Sequence, residues 1–402
     1  MKILHINSSD LGGGAEQFAK DMVDRQATSQ LFVNKKQTSV RKVHAIKRTW
    51  LSYGLQFIDD ALYNLIQRKQ LTNLGVLYPL HGTYSFLQKQ PCYHEADIIH
   101  LHNIHQDYFD LDALVSISKE KPIVWTLHDM WCFTGGEVYT FENDDFKQGN
   151  AITPYKKYYP LYNPVIDLRK AFLNKKREIY SALNGQVVFV PVSHWLGNCL
   201  KEAYVSRPEM QVEVIHNGVD TSVFKNHNHR NWCVPKVLFF NNTSNPFKGT
   251  ALFRKIVDQI NGQFELMVVG PPLDCQRHYE LISPTYDRGA LNRLYNQVDI
   301  LVFPSEAENF PLTVLEAMAA GVMLVASDTG GIPEQVSNEC GRLFISGKAE
   351  SLKGTLEEVL KWPLSRIREM GKHAEEKVLQ EFTETIMHNR YRKLYQQLIK
   401  KA

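Results

Sequence analysis

The stretch that sets the architecture of this chain is Ser305-Glu306-Ala307-Glu308-Asn309-Phe310-Pro311-Leu312-Thr313-Val314-Leu315-Glu316. The apolar run Asp299–Phe303 precedes it and predicts a strand that is buried on both faces. The apolar spacing after Pro311 predicts a helix, so Glu308 falls in the loop and Glu316 inside the helix. Carboxylates accept hydrogen bonds from vicinal hydroxyls, and these two can contact different ends of one ligand. Standing alone, the pair would also fit a solvated helix face.

The same pattern of strand and helix repeats along the 402 residues in two series of apolar runs. The first series comprises Lys2–Ile6, Gln30–Asn34, Asp97–His100, Ile123–Leu127 and Val187–Val192. The second comprises Lys236–Phe240, Glu265–Val269, Asp299–Phe303, Met323–Ala326 and Arg342–Ile345. Buried strands that alternate with helices indicate parallel βαβ units. We therefore predict an α/β fold of two Rossmann-like, doubly wound domains.

The boundary between the domains is expected in the region of residues 205–225, where the strand-like Val212–Ile215 leads into the turn signal Asn217-Gly218. We place the N-terminal domain at residues 1–205 and the C-terminal domain at residues 206–382. Residues 383–402 space their apolar side chains as one face of a helix, which we expect to pack back on the N-terminal domain.

Composition indicates a globular protein, with 44% hydrophobic residues, 22% charged residues and a formal net charge of only +3. That charge gives no reason to expect a nucleic-acid partner. The six cysteines form no C-x-x-C pair, which argues against a zinc site or a disulfide framework and suits a reducing cytosol. We see no signal peptide and no apolar stretch of about 18 residues. A cytoplasmic protein is expected, with membrane contact at most peripheral.

The segment Lys35–Phe57 stands out because it gathers basic residues without any acid and continues into apolar ones. The basic residues are Lys35, Lys36, Arg41, Lys42, Lys47 and Arg48, and the apolar ones are Trp50, Leu51, Leu55 and Phe57. Such a segment can lie on an anionic membrane or bind an anionic acceptor. It is equally typical of a solvated loop followed by a core helix.

A glycine-rich loop, Gly12-Gly13-Gly14, follows the first strand, and a helix is predicted to begin near Ala15. Glycines allow a close backbone approach, and a helix start offers free N–H groups to an anion such as a diphosphate. The loop is not a G-x-G-x-x-G motif. A tight turn from strand to helix would need glycine in any case.

Histidines follow two strands of the N-terminal series, and His102 and His128 fall where ligands bind in open parallel sheets. His128 is expected to contact a sugar hydroxyl, and Asp129 is a candidate acid or base, or else a helix cap. The cluster of His100, His102 and His105 lacks a carboxylate or cysteine to complete a metal site, so no metal is predicted. The sequence Asp110–Asp112 matches a bare D-x-D pattern but fits a surface or capping position better.

These pieces together resemble glycosyltransferase family 4, retaining enzymes with the GT-B fold. The most specific part is the E-x7-E signature within Pro304–Gly321. Supporting motifs are Gly13-Gly14-Ala15-Glu16, Val192-Ser193-His194-Trp195-Leu196, Asn217-Gly218-Val219-Asp220, Lys248-Gly249 and Gly330-Gly331-Ile332-Pro333-Glu334. The run Val124–Gly136 looks like the subgroup that builds bacterial capsular, O-antigen or exopolysaccharide repeats.

The resemblance implies two domains that face across a cleft, a nucleotide-diphosphate sugar as donor, and no metal or cofactor. It implies catalytic roles for His128, Glu308 and Lys248. The implied donor-binding residues are Gly13, Gly14, Asn242, Lys248, Glu308, Asn309, Phe310, Pro311, Leu312 and Glu316. Residues Glu16, His102 and Asp129 are the candidates for binding the acceptor. The chain departs from the commoner family pattern at Thr243, where the family often has arginine, and at Asn309 and Pro311, where it often has glycine.

The expected reaction is the retaining transfer of a hexosyl unit to a lipid-linked or polysaccharide acceptor in bacterial surface polysaccharide biosynthesis. Two alternatives stay open because a fold does not determine chemistry. One is a nucleotide-sugar epimerase or a phosphorylase on the same fold. The other is a non-catalytic protein that binds sugar nucleotides within an assembly complex.

Overall fold

The computed structural model describes residues 1–66, 73–141, 143–151 and 167–401. The chain divides into two compact units, Met1–Ile215 with Arg390–Ala402, and His216–Asn389. The first unit extends beyond residue 205, where the sequence places the boundary, because the strand Gln211–Val212 pairs with its sheet.

The first unit is built on a parallel sheet. Its strands are β1 (Ile3–Ser9), β2 (Gln30–Lys35), β3 (Val43–Ala45), β4 (Ile98–Leu101), β5 (Ile123–Leu127), β6 (Val187–Pro191) and β7 (Gln211–Val212). They lie in the order β3-β2-β1-β4-β5-β6-β7. The helices of its described residues are α1 (Gly14–Asp24), α2 (Trp50–Ile66), α3 (Thr83–Leu87), α4 (Pro91–Glu95), α5 (Ala113–Glu120), α6 (Arg169–Ser181) and α7 (His194–Glu202).

The second unit repeats this plan. Its strands are β8 (Lys236–Phe240), β9 (Glu265–Val269), β10 (Tyr279–Ile282), β11 (Ile300–Phe303), β12 (Met323–Ser327) and β13 (Gly341–Phe344), in the order β10-β9-β8-β11-β12-β13. The helices that follow are α8 (Thr250–Ile256), α9 (Arg288–Tyr295), α10 (Leu312–Ala319), α11 (Ile332–Gln335), α12 (Ala349–Leu360), α13 (Leu364–Glu381) and α14 (Glu384–Lys401). From Arg390 onward, α14 belongs to the first unit.

The predicted α/β class is confirmed, and each strand of the two predicted series is present. Strands β3 and β10 escaped prediction because both lie at sheet edges. An edge strand is covered less than a central one, so it needs no continuous apolar run. In β10, Glu280 and Leu281 are exposed, and in β3 only Val43 is buried.

The first sheet has the strand order 3-2-1-4-5-6-7 and the second has the order 3-2-1-4-5-6, when each is numbered from its own first strand. In the first sheet the chain therefore winds in opposite directions on the two sides of a point between β1 and β4. In the second sheet it does so on the two sides of a point between β8 and β11. Ligands of open parallel sheets bind outside the carboxyl ends of the strands at such a point. The fold thus gives each unit one candidate ligand-binding position.

Two glycines let loops of the second unit approach each other closely. Gly330 has a φ of 58°, and a Cβ atom there would lie 1.6 Å from the carbonyl oxygen of Glu308. Gly249 has a φ of 79°, and its Cβ would lie 1.9 Å from the carbonyl oxygen of Pro304. Any side chain at either position would therefore push the loop after β11 out of place.

We predict that Gly330→Ala lowers the free energy of unfolding by about 2 kcal/mol or more, because it adds both a clash and an unfavourable φ. A matched control is Gly354→Ala in α12, where a Cβ atom meets no other atom within 4 Å. In a helix interior that change should raise the stability by up to about 1 kcal/mol. Urea unfolding of both variants measures the difference, and equal stability of the two would contradict the packing described.

Candidate functional site

The loop after β11 is bonded to the loop after β8, at the switch point of the second sheet. The backbone N–H of Glu306 donates to the carbonyl oxygen of Phe247 at 2.7 Å, and the Ser305 hydroxyl donates to the same oxygen at 3.2 Å. Lys248 and Glu308, which follow these anchors, are thereby brought together. The Lys248 Nζ donates to the Glu308 Oε1 at 2.5 Å.

This ion pair joins two of the residues that the family resemblance implies for binding the donor. The Glu308 side chain is only 6% exposed and that of Lys248 is 29% exposed, so the pair opens to solvent on the lysine side. An ammonium group has three donors, and Glu308 Oε1 takes one of them. Lys248 can therefore also donate to an anion such as a phosphate, and Glu308 can also accept from a hydroxyl.

The segment from Asn309 to Leu312 is held rigidly by its surroundings. The ring of Phe310 is buried and stacks on His216 with 4.7 Å between centroids, and its carbonyl oxygen accepts from the Asn217 side chain at 2.9 Å. Pro311 is the N-cap of α10, which Leu312 begins, and its carbonyl oxygen accepts from Gln335 at 3.0 Å. Asn309 is also buried. This part of the predicted donor site is thus a fixed backbone cradle more than a set of exposed side chains.

Asn242 organises the exposed loop after β8. Its backbone N–H donates to the Thr250 hydroxyl at 3.1 Å, and its side-chain oxygen accepts from Ser244 at 2.8 Å. The neighbouring Thr243, which stands where the family often has arginine, is exposed in the same loop. Lys248 is the cation that this loop brings to Glu308.

Glu316 lies inside α10, as predicted, and contacts a residue that sequence reasoning missed. The Tyr295 hydroxyl, at the end of α9, donates to the Glu316 Oε2 at 3.2 Å. Burial raises the pKa of Glu316 to about 7, although the Tyr295 hydrogen bond and the charge of Arg288 oppose the rise. The carboxyl group is therefore close to half ionised at neutral pH. No local sequence signal links Tyr295 to Glu316, because the contact arises only when α9 packs against α10.

In the first unit, His5, His102 and His128 form a hydrogen-bonded chain across β1, β4 and the end of β5. The His5 Nδ1 lies 3.1 Å from the His102 Nε2, and the His102 Nδ1 lies 3.3 Å from the His128 Nε2. Burial lowers the pKa of His128 to about 4, so its imidazole is neutral at physiological pH. His102 is 1% exposed and contacts His128, so it can position that imidazole, and it also borders the small pocket that His128 lines.

His100 shares this cluster but is satisfied by hydroxyl groups. Its Nε2 lies 2.7 Å from the Thr126 hydroxyl and its Nδ1 lies 2.7 Å from the Tyr395 hydroxyl. The ligand atoms of His5, His100 and His102 all lie within 4.8 Å of one another, as a metal site would require. A metal at this position would have to break one hydroxyl contact of His100 and one of the two imidazole contacts of His102. Sequence reasoning missed His5, although it pairs directly with His100 across the sheet.

Asp129 is fixed by two partners. Its Oδ1 accepts from the backbone N–H of Trp131 at 2.9 Å, and its Oδ2 lies 2.9 Å from the His105 Nε2. Burial works to raise the pKa of Asp129, but His105 and the Trp131 amide outweigh it, so the pKa is lowered. The carboxylate therefore stays ionised, which argues against a general acid but not against a general base, and its bond to the Trp131 N–H fits the capping interpretation. His128 and Asp129 also line a small pocket with His102, Asn103, Ile104, His105, Trp125, Thr126, Leu127, Trp131 and Cys132.

The loop that follows β5 is tied to α6 by a buried lysine that the sequence did not single out. The Lys176 Nζ donates to the carbonyl oxygens of Trp131 and Thr134, the latter at 2.9 Å, and lies over the Trp131 ring. Burial lowers the pKa of Lys176 to about 8. These contacts of Lys176 fix the segment that begins with His128 and Asp129.

The glycine loop lies at the N-terminus of α1, with Gly13 as the cap and Gly14 as the first helical residue. The Glu16 carboxylate folds back over the loop and accepts from the Ser8 hydroxyl at 3.2 Å. Its Oε2 would lie 3.5 Å from a Cβ atom on Gly13. A negative charge placed here opposes a diphosphate and suits a neutral, hydroxyl-rich ligand. The geometry thus favours an acceptor at Gly13 and Gly14 over the donor phosphates.

The D-x-D pattern has a structural explanation. Asp110 is buried and its two oxygens accept from the backbone N–H groups of His81 and Thr83, at 2.8 and 2.9 Å. Thr83 begins α3, so Asp110 caps that helix from a distant part of the chain. Asp112 pairs with Lys175 at 3.2 Å.

The two α/β units share the strand order 3-2-1-4-5-6, to which the first unit adds a seventh strand, and each carries polar groups at its switch point. These features define a GT-B glycosyltransferase-like protein. Two family models match the sequence, "Glycosyltransferase Family 4" over residues 66–223 and "Glycosyl transferases group 1" over residues 234–361. The chain belongs to glycosyltransferase family 4, as the resemblance of its motifs predicted.

Curated relatives agree with this membership. The chain is 26% identical over 275 residues to WcaC of Escherichia coli K12, named for colanic acid biosynthesis, and the match covers 61% of this chain and 63% of that protein. It is 37% identical over 114 residues to the Campylobacter jejuni N,N'-diacetylbacillosaminyl-diphospho-undecaprenol alpha-1,3-N-acetylgalactosaminyltransferase, covering 28% of this chain and 30% of that protein. The matches thus span less than two thirds of the length of these relatives.

Solved structures share the fold over the whole chain. Sucrose-phosphate synthase from Thermosynechococcus elongatus superposes with a TM-score of 0.70 at 16% identity and covers 100% of both chains. Anabaena HepE in complex with UDP and glucose gives a TM-score of 0.66 at 18% identity, over 98% of this chain and 99% of that one. At these identities the likeness establishes the GT-B fold.

We predict that Glu316→Gln changes how stability depends on pH. The folded-state pKa of about 7 lies above that of an unfolded glutamate, so the wild type loses stability as the pH rises through about 7. The variant has no such charge, and its stability relative to the wild type should rise by about 3 kcal/mol or less between about pH 5 and about pH 8.

Urea unfolding of the wild type and the variant at both pH values measures this difference. Glu369→Gln, at an exposed position of α13, controls for the loss of one charge. A constant stability difference between Glu316→Gln and the wild type would show that burial does not govern this carboxyl group.

Proposed function

We propose that the chain is a retaining glycosyltransferase that moves a hexosyl unit from a nucleotide-diphosphate sugar to a lipid-linked or polysaccharide acceptor. The biological setting that we propose is bacterial surface polysaccharide biosynthesis. The observation that carries this proposal is the Lys248–Glu308 pair at the β8/β11 switch point. It places a cation and a hydroxyl acceptor side by side, as a diphosphate joined to a sugar requires.

In this proposal the second unit binds the donor. Lys248 neutralises the diphosphate, Glu308 accepts from a sugar hydroxyl, and Glu316 accepts from the ribose. The rigid backbone of Asn309 and Phe310 faces the same ligand. UDP and glucose in the related Anabaena structure support a nucleotide sugar as the ligand class.

In the first unit, His128 is the group proposed to contact the donor sugar near the bond that breaks. Its neutral imidazole suits a hydrogen bond to a hydroxyl and does not add a positive charge. Glu16 and the glycine loop are proposed for the acceptor, since a carboxylate accepts from sugar hydroxyls. Asp129 is also proposed to help bind the acceptor, and it bonds to His105, which borders the same pocket.

The proposed reaction breaks the bond between the anomeric carbon and the diphosphate oxygen and forms a bond from that carbon to the acceptor oxygen on the same face. The acceptor proton passes to the departing diphosphate. No protein nucleophile takes part, and no metal or cofactor is proposed. Lys248 stabilises the charge that grows on the diphosphate, which is the largest electrostatic task in the transfer.

We further propose a cytoplasmic protein that works at the inner face of the cytoplasmic membrane, because a lipid-linked acceptor resides there. The name of the Campylobacter relative specifies a diphospho-undecaprenol acceptor, which supports this class of acceptor. Among the described residues no helix is long and apolar enough to cross a membrane.

We predict that a nucleoside diphosphate or its sugar raises the melting temperature of the chain, since a ligand that binds only the folded state must stabilise it. A thermal-shift panel of UDP, GDP and their sugars identifies the donor, and NMR of the product formed with an acceptor gives the anomeric configuration. Inversion of configuration would contradict the retaining mechanism. Epimerised or phosphorolysed donor without acceptor would favour the alternative enzymes, and binding without turnover would favour a non-catalytic protein.

We predict that Lys248→Ala lowers turnover by about a hundredfold or more, because it removes the charge that stabilises the leaving group. Binding of UDP or GDP should weaken more than binding of the corresponding nucleoside. Lys255→Ala, at an exposed position of the neighbouring α8, is the matched control and should keep full activity. Undiminished turnover of Lys248→Ala would contradict the proposal that Lys248 neutralises the diphosphate.

A further inference from the structure

Three histidines of the first unit form a line of hydrogen bonds that leads from the small pocket into the core. His128 and His102 line the pocket, and His5 extends the line from β1, where its side chain is fully buried. The ring planes of His5 and His102 are 12° apart, and those of His102 and His128 are 24° apart. A buried imidazole in a central strand is costlier than an apolar side chain unless it is bonded, so packing alone does not explain His5.

The identity of the bonded nitrogens matters here. His102 uses its Nδ1 toward the Nε2 of His128, at 3.3 Å, and its Nε2 toward the Nδ1 of His5, at 3.1 Å. Burial holds the pKa of His102 well below its ordinary value and lowers the pKa of His128 to about 4, so both rings are neutral at physiological pH. A neutral imidazole has a single N–H, so one ring nitrogen donates and the other accepts.

This rule links the protons of the three rings. Since His102 has one proton, it donates to one neighbour and accepts from the other, and both bonds point in the same direction. If the protons point toward His5, all three rings carry the proton on Nε2. If they point toward His128, all three carry it on Nδ1. The bonded geometry therefore requires one shared tautomer when the three rings are neutral.

The direction of the line decides what His128 can offer to a ligand. With its proton on Nε2, the Nδ1 of His128 has a lone pair and accepts from a hydroxyl group. With its proton on Nδ1, the same nitrogen donates to an oxygen atom. The bond made by one nitrogen of an imidazole thus sets the chemistry of the other, and the bond at the Nε2 of His128 leads through His102 to His5.

The neighbouring His100 is not restricted in this way. Its two nitrogens lie 2.7 Å from the hydroxyl groups of Thr126 and Tyr395. A hydroxyl group can donate or accept, so His100 is compatible with either tautomer. The restriction therefore belongs to the line of His5, His102 and His128 and is not a general consequence of burial in this sheet.

We propose that His5 is a positioning residue, which sets through His102 the tautomer that His128 presents to the donor sugar. This inference deepens and rests on the proposed function, in which His128 contacts that sugar near the bond that breaks. His5 itself takes no part in the transfer. Its task is to ensure that every molecule of the protein offers the same hydrogen-bonding group at the Nδ1 of His128.

The first test is nitrogen NMR of the full chain with isotope-labelled histidines, recorded at neutral pH without any substrate. The shifts of the two ring nitrogens report the tautomer of each histidine, and single substitutions assign the signals. We expect the same tautomer for His5, His102 and His128. Two different tautomers among these three rings would overturn the inference, and this measurement needs no variant to fold except for assignment.

The second test compares two substitutions of His5. His5→Phe keeps an aromatic ring but removes the bonding nitrogen, whereas His5→Asn keeps a group that can donate or accept near the same place. His5→Phe should mix the tautomers of His128 and lower kcat for sugar transfer by about tenfold or more, with little change in KM for the donor. His5→Asn should restore one tautomer and most of kcat. Unchanged nitrogen signals of His128 in His5→Phe, or an unchanged kcat, would overturn the inference.

His44→Phe is the matched control, because His44 is exposed on β3 of the same sheet. It should change neither the nitrogen signals of His128 nor kcat. All variants should keep the thermal shift caused by UDP or GDP, since the second unit is the one proposed to bind the donor. Loss of that shift in the wild type, with one shared tautomer, would count against the proposed function instead. The two hypotheses therefore fail in different measurements.

Discussion

Burial of both faces of a parallel sheet is the constraint on which the rest of this structure depends. Helices cover the two faces of each sheet, so polar side chains that must meet a ligand are restricted to the strand ends. In the second unit this places Lys248 and Glu308 together, although 60 residues separate them in sequence. In the first unit it places His102 and His128 at the ends of β4 and β5. Both groups lie where the strand order leaves the carboxyl ends open.

Burial also controls the charge states at these positions. Burial makes the imidazolium ion of His128 costly, so that side chain is neutral. Burial also makes the carboxylate of Glu316 costly, which raises the pKa of that group to about 7. Glu308 is also buried, and the ammonium group of Lys248 pairs with it. Two glutamates eight residues apart thus have distinct electrostatic environments, one paired with a cation and one held by a tyrosine hydroxyl. The distinction agrees with separate tasks on one ligand.

The sequence predicted most of the fold, because central strands must be apolar along their whole length and are easily recognised. It missed β3 and β10, whose edge positions relax that requirement. The E-x7-E spacing singled out Glu308 and Glu316, and the family resemblance added Lys248, which the structure places beside Glu308. It could not reveal Tyr295 or Lys176, because their partners come from distant segments and neither residue type is unusual in a helix. Spacing also gave no hint that Glu16 folds over the glycine loop, which changed the ligand proposed there.

Helix α2 shows where a hydrophobic pattern alone is ambiguous. An apolar stripe at helical spacing predicts that one face is covered, but it does not say by what. Among the described side chains of this helix, Ser52 is buried and bonds to His81, whereas Trp50 and Phe57 are exposed. Water contact with Trp50 and Phe57 is unfavourable, so a surface that removes them from water releases free energy.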